Sequence, residues 1–567
     1  MENTRLFLFL GLSVVTILLW QAWQDDHAPR VATSDVPAGQ AAAPAVAAVP
    51  SIPSTSAAAP GSAAAVPTDV APSTAPVAVA AAAPAPAATG KRIKIVTDVF
   101  NIELDTVGGD LRQARLPAYP VSGPQSQKPF ELLSDQTTQY FVAQSGLLSS
   151  QGAPDHYAVY EADQTEYVMA PDQNTLAVAL KWTNGQGVTV SKIYTFQRGS
   201  YLVNVQHRIE NATGDEWIGR QYRQLQRTGQ APAGESALIY TYTGGVIYSP
   251  EKKYEKIKFD DIKAANLSRD ISNGWAAMIQ HYFLAAWIPA KEEANQFYTR
   301  APVEDRYVLG MVSPEQRVAA GGTAVFGSQL YVGPKVQDTL EQIAPGLELT
   351  VDYGWLTIIA KPLFWLLRHF HEWFGNWGWA IIVLTMTIKL AFYKLSETSY
   401  RSMAHMRRLQ PKIAALRERY GDDRQRMSQA MMELYRKDKI NPFGGCLPMI
   451  VQIPVFIALY WVLLESVELR QAPFILWIHD LSTKDPYYVL PLIMGVSMFV
   501  QQKLNPPPPD PVQAKVFMAL PFIFTGFFAF FPAGLVLYWV ANNCLSIAQQ
   551  WVITRRIEKQ AEAAKAA

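Results

Sequence analysis

The sequence predicts a polytopic α-helical membrane protein of six spans carrying a large β-sandwich domain. Three observations predict it. Long apolar runs cluster in the last third of the 567 residues, with one more at the N-terminus. Between them lies a polar region where apolar and polar residues alternate and turn residues recur. Basic residues gather in the segments that the apolar runs would leave on one side of a bilayer. The formal charge of +1 suggests no nucleic-acid partner, and no specific nucleic-acid sequence is expected to bind. Both cysteines, Cys446 and Cys544, lie in or beside apolar runs, which excludes a disulfide framework or a cysteine-rich metal site.

Residues 1–24 hold the first apolar run, Leu6 to Trp23, just long enough to span. No small-x-small site follows it, so it reads as an uncleaved anchor. Arg5 before it and Asp25-Asp26 after it put the N-terminus in the cytoplasm. Residues 25–90 are rich in Ala, Pro, Ser and Val and have too few large apolar groups for a core. They read as a disordered tether with a coil reach of roughly 45 Å.

Residues 91–346 read as a β domain. Thr175–Trp182 and Val188–Gln197 flank Asn184-Gly185, a hairpin signal, and a second turn at Arg198-Gly199-Ser200 leads into Tyr201–Ile209. Such meanders predict a large sandwich, closed by a short helix over Val336–Ile343. His156, His207 and His281 lack metal-ligand spacing. Residues 354–374 are apolar but interrupted by Lys361-Pro362 and by late polar residues. With Trp355, Trp365 and Trp373 they predict an amphipathic helix at the membrane interface.

A five-span core over residues 377–554 follows, with spans at Trp377–Leu395, Gly444–Leu464, Tyr487–Gln501, Val516–Phe530 and Ala533–Ile553. Lys394 through Lys439 holds twelve Lys/Arg against six Asp/Glu, which places that loop in the cytoplasm. The 465–486 loop has Glu465, Glu468, Asp480 and Asp485 against Arg470 and Lys484 and faces out. The basic tail, 555–567, carries Arg555, Arg556 and Lys559 and returns inside. Both termini inside require an even number of spans. Six satisfies it.

Lys389 lies within the second span, where an ammonium costs at least ~2.5–3.5 kcal/mol and so marks a functional site. Thr385 and Tyr393 are placed on its face by helical spacing. Snorkelling to the cytoplasmic surface, roughly 9 Å along the helix, is the competing reading. Gln452 in the third span, Thr525 in the fifth, and Tyr538, Asn542, Ser546 and Gln549/Gln550 in the sixth add polar faces. Such groups either glue helices together or line a wet cavity. The cytoplasmic loop, 397–439, reads as a helical hairpin broken at Tyr420-Gly421-Asp422-Asp423, with Gly421 suited to end one helix and Asp423 to cap the next. Its methionines Met403, Met406, Met427, Met431 and Met432 suit a surface that accepts varied apolar segments.

The stretches Leu409-Gln-Pro-Lys412, Asn441-Pro-Phe-Gly-Gly-Cys446, Ser466-Val-Glu-Leu-Arg470, Asp485-Pro-Tyr-Tyr488 and Phe531-Pro-Ala-Gly-Leu535 resemble the YidC family of membrane-protein insertases, relatives of the mitochondrial Oxa and chloroplast Alb insertases. The resemblance is close from Val351 to Arg556. The anchor, tether and β domain are similar to the Gram-negative branch, whose periplasmic domain is a β-supersandwich. It implies a multi-pass inner-membrane protein, not an enzyme, with no cofactor. It also implies a hydrophilic groove open to cytoplasm and lipid, contacted by clients at Lys389, Thr385, Tyr393, Gln452, Tyr538, Trp539 and Asn542. The hairpin, through Met403, Met406, Met427 and Met431, would capture clients first. Implied partners are nascent membrane proteins, the Sec translocon (SecYEG and SecDF), the ribosome through hairpin and tail, and membrane lipids. The sequence departs from the family in two places: the groove cation is usually Arg, and Tyr538-Trp539 is often two tyrosines. A polytopic transporter or channel with a periplasmic binding domain is the alternative. Inverted repeats and broken midplane helices, expected there, are not evident in the sequence.

Overall fold

The computed structural model describes residues 90–121, 128–230, 241–421, 423–437, 447–505 and 511–566. The predicted anchor and nearly all of the tether lie outside these residues.

From Arg92 to Pro334 the chain forms two packed β-sheets, of eleven and nine strands among the described residues. The larger runs in the order Ser268–Ser272, Ala294–Arg300, Tyr307–Val312, Trp217–Arg227, Phe141–Leu148, Leu111–Pro120, Asn101–Asp105, Arg92–Val96, Glu166–Val168. All these pairings are antiparallel except the last, between Arg92–Val96 and Glu166–Val168. The smaller sheet is built around Thr323–Pro334, Leu202–Asn211, Val188–Gln197 and Thr175–Thr183. Val188–Gln197 buries every second residue, the period-two signature of a strand with one face on a core. The Asn184 signal does sit at a hairpin: Thr183 pairs with Thr189 across a loop containing Gly185 and Gly187, both at positive φ. The loop is therefore longer than a two-residue turn. Trp217, Trp275 and Trp287 are among the largest buried side chains.

Two short helices, α1 (Phe259–Ala264) and α2 (Gln337–Ile343), decorate this domain. Eight helices then follow in the helical region: α3 (Thr357–Phe374), α4 (Trp377–Ala391), α5 (Tyr393–Tyr420), α6 (Arg424–Lys437), α7 (Leu447–Glu465), α8 (Val489–Leu504), α9 (Pro511–Phe528) and α10 (Ala533–Ala566), counted among the described residues. Helix α3 buries Ala360, Leu363, Phe364, Leu367 and Phe370, a stripe at helical spacing, and exposes Ile358, Trp365 and Trp373 on its other side. It ends at Gly375, whose φ of 64° is the left-handed conformation glycine adopts without a Cβ penalty. Asn376 starts α4 by accepting hydrogen bonds from the amides of Gly378 and Trp379. Asp423 caps α6 through the amide of Arg426 at 3.1 Å. Gly421, however, has φ near −4° and is not left-handed.

Among the described residues no single helix is long and apolar enough to cross a membrane alone. Helices α7 to α9 are 16 to 19 residues long, and α10, at 34 residues, is interrupted by polar groups. The predicted span Trp377–Leu395 is also not one helix. It breaks at Phe392, and the chain bends by 67° between Trp377–Ala391 and Tyr393–Arg407. This bent pair passes the length and hydropathy requirement together.

Polar groups, some buried and some half-buried, join the β domain to the helical region. Lys335 pairs with Glu465 at the end of α7. The His281 ring donates from Nε2 to the Leu464 carbonyl at 3.0 Å. Arg470 and Gln471 both donate to the Pro120 carbonyl, at 2.7 and 2.6 Å, and the Arg470 guanidinium lies over the rings of Phe130 and Phe283.

Candidate insertion groove

Lys389 sits in the last turn of α4 and is only half-buried. Its Nζ donates to Ser546 Oγ on α10 at 2.8 Å. The serine hydroxyl in turn donates to the Asn542 carbonyl at 2.7 Å, one turn earlier. Gln452 on α7 donates from Nε2 to Asn542 Oδ1 at 2.9 Å and also bonds with the Tyr538 hydroxyl. Tyr538, Gln452, Asn542, Ser546 and Lys389 thus form one polar file across three helices. No carboxylate forms an ion pair with Lys389 among the described residues, and none of them makes a cluster of metal-ligating side chains.

Three of the sequence-selected residues stand apart from this file. Thr385 is 1% exposed, and its hydroxyl donates to the Ile381 carbonyl of its own helix at 2.7 Å. Tyr393 lies past the break at Phe392, where the 67° bend carries it off the face of Lys389. Helical spacing alone presumed a continuous helix. Trp539 packs its ring against Phe456 and Phe528, with centroids 4.8 and 5.7 Å away, and its buried indole nitrogen has no hydrogen-bond partner. Its chemistry here is apolar.

The polar residues of α10 fall on two faces. Tyr538, Asn542, Ser546 and Gln549 repeat at intervals of three or four, and Gln549 reaches the Tyr393 carbonyl at 3.5 Å. Asn543 and Gln550 lie about 100° further round. Asn543 Nδ2 donates to Ser497 Oγ on α8 at 3.0 Å, and Gln550 donates to the Leu504 carbonyl and to Asn505 Oδ1. These bonds fasten helices together. Asn543 and Ser497 were not singled out in the sequence; the offset of Asn543 from the period of Asn542 and Ser546 was the available signal. Thr525 is likewise a packing group. Its hydroxyl donates to the Pro521 carbonyl and sits where a Cβ at Gly495 would collide with it.

In the hairpin, Met403 and Met406 on α5 and Met427 and Met431 on α6 are half-buried, while Met432 is exposed. Leu409 and Ile413 are buried, and Arg407 donates to the Lys503 carbonyl at 3.3 Å. The base of the hairpin is therefore packed.

The sequence matches two protein families: the YidC periplasmic domain over residues 92–366 and the 60Kd inner membrane protein over residues 369–560. A membrane protein insertase YidC from Thioalkalivibrio sulfidiphilus is 53% identical, covering 99% of each chain. That of Methylococcus capsulatus is 53% identical, again over 99% of each. That of Pseudomonas putida is 48% identical over 100% of each.

Proposed function

From the premise that the chain belongs to the YidC family of membrane protein insertases, which are not enzymes, we propose how its residues insert a client. The file from Tyr538 to Lys389 lines a hydrated groove among the helices. A polar segment of the client enters this groove from the cytoplasm, drawn by the Lys389 ammonium, while its apolar helix moves into lipid. The observation that carries this reading is the Lys389–Ser546 contact, with no carboxylate paired to the ammonium among the described residues. A charge so placed lowers the desolvation cost of an acidic segment at membrane depth. Burial of the client's apolar helix in lipid then supplies the drive, about 0.8 kcal/mol per CH₂, with no nucleotide needed.

The wider arrangement in this reading has six spans: an anchor at 1–24 and five in 377–554. A tether at 25–90 leads to a periplasmic domain at 91–346, and the helix of 354–374 lies on the membrane surface. Both termini and the 397–439 hairpin are cytoplasmic. The exposed tryptophans of α3 support the interfacial placement. The half-buried methionines support a client-capturing hairpin, and the basic tail at 555–567 suits the ribosome or anionic lipid. Clients enter by this protein alone or together with the Sec translocon.

The test is site-specific crosslinking to a ribosome-bound nascent membrane protein. A photoreactive residue at Gln452 or Asn542 should capture the nascent chain, whereas one at Val325, exposed on the β domain, should not. Equal capture at all three positions would remove the groove.

A further inference from the structure

We infer that Ser546 is a positioning residue that aims the Lys389 ammonium into the groove. The inference rests on the groove reading above. An unrestrained lysine stem has four rotatable bonds, so its charge would spread over several ångströms and reach toward the cytoplasmic surface. Ser546 opposes that. It is 2% exposed, its hydroxyl proton is committed to the Asn542 carbonyl, and its oxygen therefore faces Lys389 as an acceptor with a fixed direction. The carbonyl of the same residue lies 3.5 Å from the hydroxyl of Tyr400, on the first helix of the hairpin. One residue of α10 thus holds the groove cation through its side chain and touches the base of the hairpin through its backbone. Asn542, the acceptor of the serine proton, also receives Gln452, so the orientation of the lysine is continuous with the rest of the polar file.

The experiment measures insertion of two client series by the full-length protein in proteoliposomes, one with acidic and one with neutral translocated tails. Ser546→Ala should slow the acidic series by about three- to tenfold more than the neutral series, as expected when an ordinary intramolecular hydrogen bond is lost. Ser546→Thr, which keeps the hydroxyl, should restore most of the rate. With Lys389→Ala already present, Ser546→Ala should cost nothing further, because there is no ammonium left to aim. Equal loss in both series, or a full additional loss on top of Lys389→Ala, would reduce Ser546 to a packing residue. If Lys389→Ala slows the acidic series while Ser546→Ala does not, the positioning role falls and the groove stands. If Lys389→Ala slows neither series, the groove reading falls and takes this role with it.

Discussion

Lys335 and Glu465 form a buried ion pair that joins the β domain to the end of α7, with Nζ and Oε2 2.8 Å apart and side chains 2% and 5% exposed. The lysine also donates to the Thr350 carbonyl at 3.3 Å, so its charge is held from both the end of α7 and the approach to α3. Beside this pair, the His281 ring bonds to the Leu464 carbonyl and the Arg470 guanidinium lies over the rings of Phe130 and Phe283. Removing one partner should be costly. Lys335→Ala leaves an unpaired carboxylate in the junction, a situation that costs about 3–5 kcal/mol, whereas a Met at both positions should be close to neutral. Thermal unfolding of the intact protein in nanodiscs should rank the double variant well above either single one.

The same junction predicts two opposing pH dependences. Burial pushes the Glu468 carboxyl up to about 7, against an ordinary 4.5, and its Oε2 is enclosed without a hydrogen-bond partner although the residue keeps some surface. Burial also raises Glu465, with the Lys335 ammonium opposing it. A carboxyl raised on folding binds its proton more tightly in the native state, so stability falls as pH rises from about 4.5 to about 7. His281 behaves inversely. Burial, helped by the nearby Lys335 charge, lowers it to about 3 from 6.5, so its contribution is lost as pH falls from about 6.5 toward 3. Unfolding midpoints at pH 5 and pH 8 should therefore separate the variants. Glu468→Gln should gain most relative to the parent at pH 8, and His281→Gln at pH 5. A parallel shift at both pH values would contradict the assignment.

Helices α8 and α9 should respond to a single methyl. Gly495→Ala places a Cβ against the Thr525 hydroxyl and Cβ, an overpacking that costs about 1–3 kcal/mol. Thr525→Ala removes the colliding atom and should recover most of the loss, although it alone should change little. Melting of the four proteins of this cycle in one detergent gives the coupling directly.

At Lys389, charge should matter more than the identity of the side chain. Lys389→Arg should keep insertion of acidic-tailed clients, and Lys389→Ala should lower it by up to about tenfold, equivalent to about 1.4 kcal/mol. Thr385→Ala should add to Lys389→Ala without coupling, because the threonine hydroxyl is committed to the Ile381 carbonyl. Insertion rates for the two single variants and the double variant test both statements. Non-additivity would place Thr385 in the groove.

What was legible in the sequence followed period and punctuation. Alternation marked Thr175–Gln197 as paired strands, and the short helix expected over Val336–Ile343 forms over Gln337–Ile343. The polar residues of the last helix announced themselves by contrast with their apolar neighbours. What the sequence hid was tertiary. Nothing local to Phe392 marks a helix break, because no Pro or Gly lies beside it. Spacing grouped Gln550 with Gln549, yet one residue is 100° of rotation, which sends them to different helices. Lys335 and Glu465 are 130 residues apart, and each reads as an ordinary surface charge until the fold brings them together.

Helix α10 therefore works in fixed phase with its neighbours, like a shaft keyed on two sides. Its Asn542 face engages α4 and α7 while its Asn543 face engages α8. Point substitutions remove one key at a time and leave the others in mesh. Inserting one residue between Val536 and Tyr538 is a different kind of change, since it turns everything beyond it by about 100°. Asn542 would then rotate away from Gln452, Ser546 away from Lys389, and Asn543 away from Ser497, all at once. This helix can tolerate changes of chemistry far better than a change of frame.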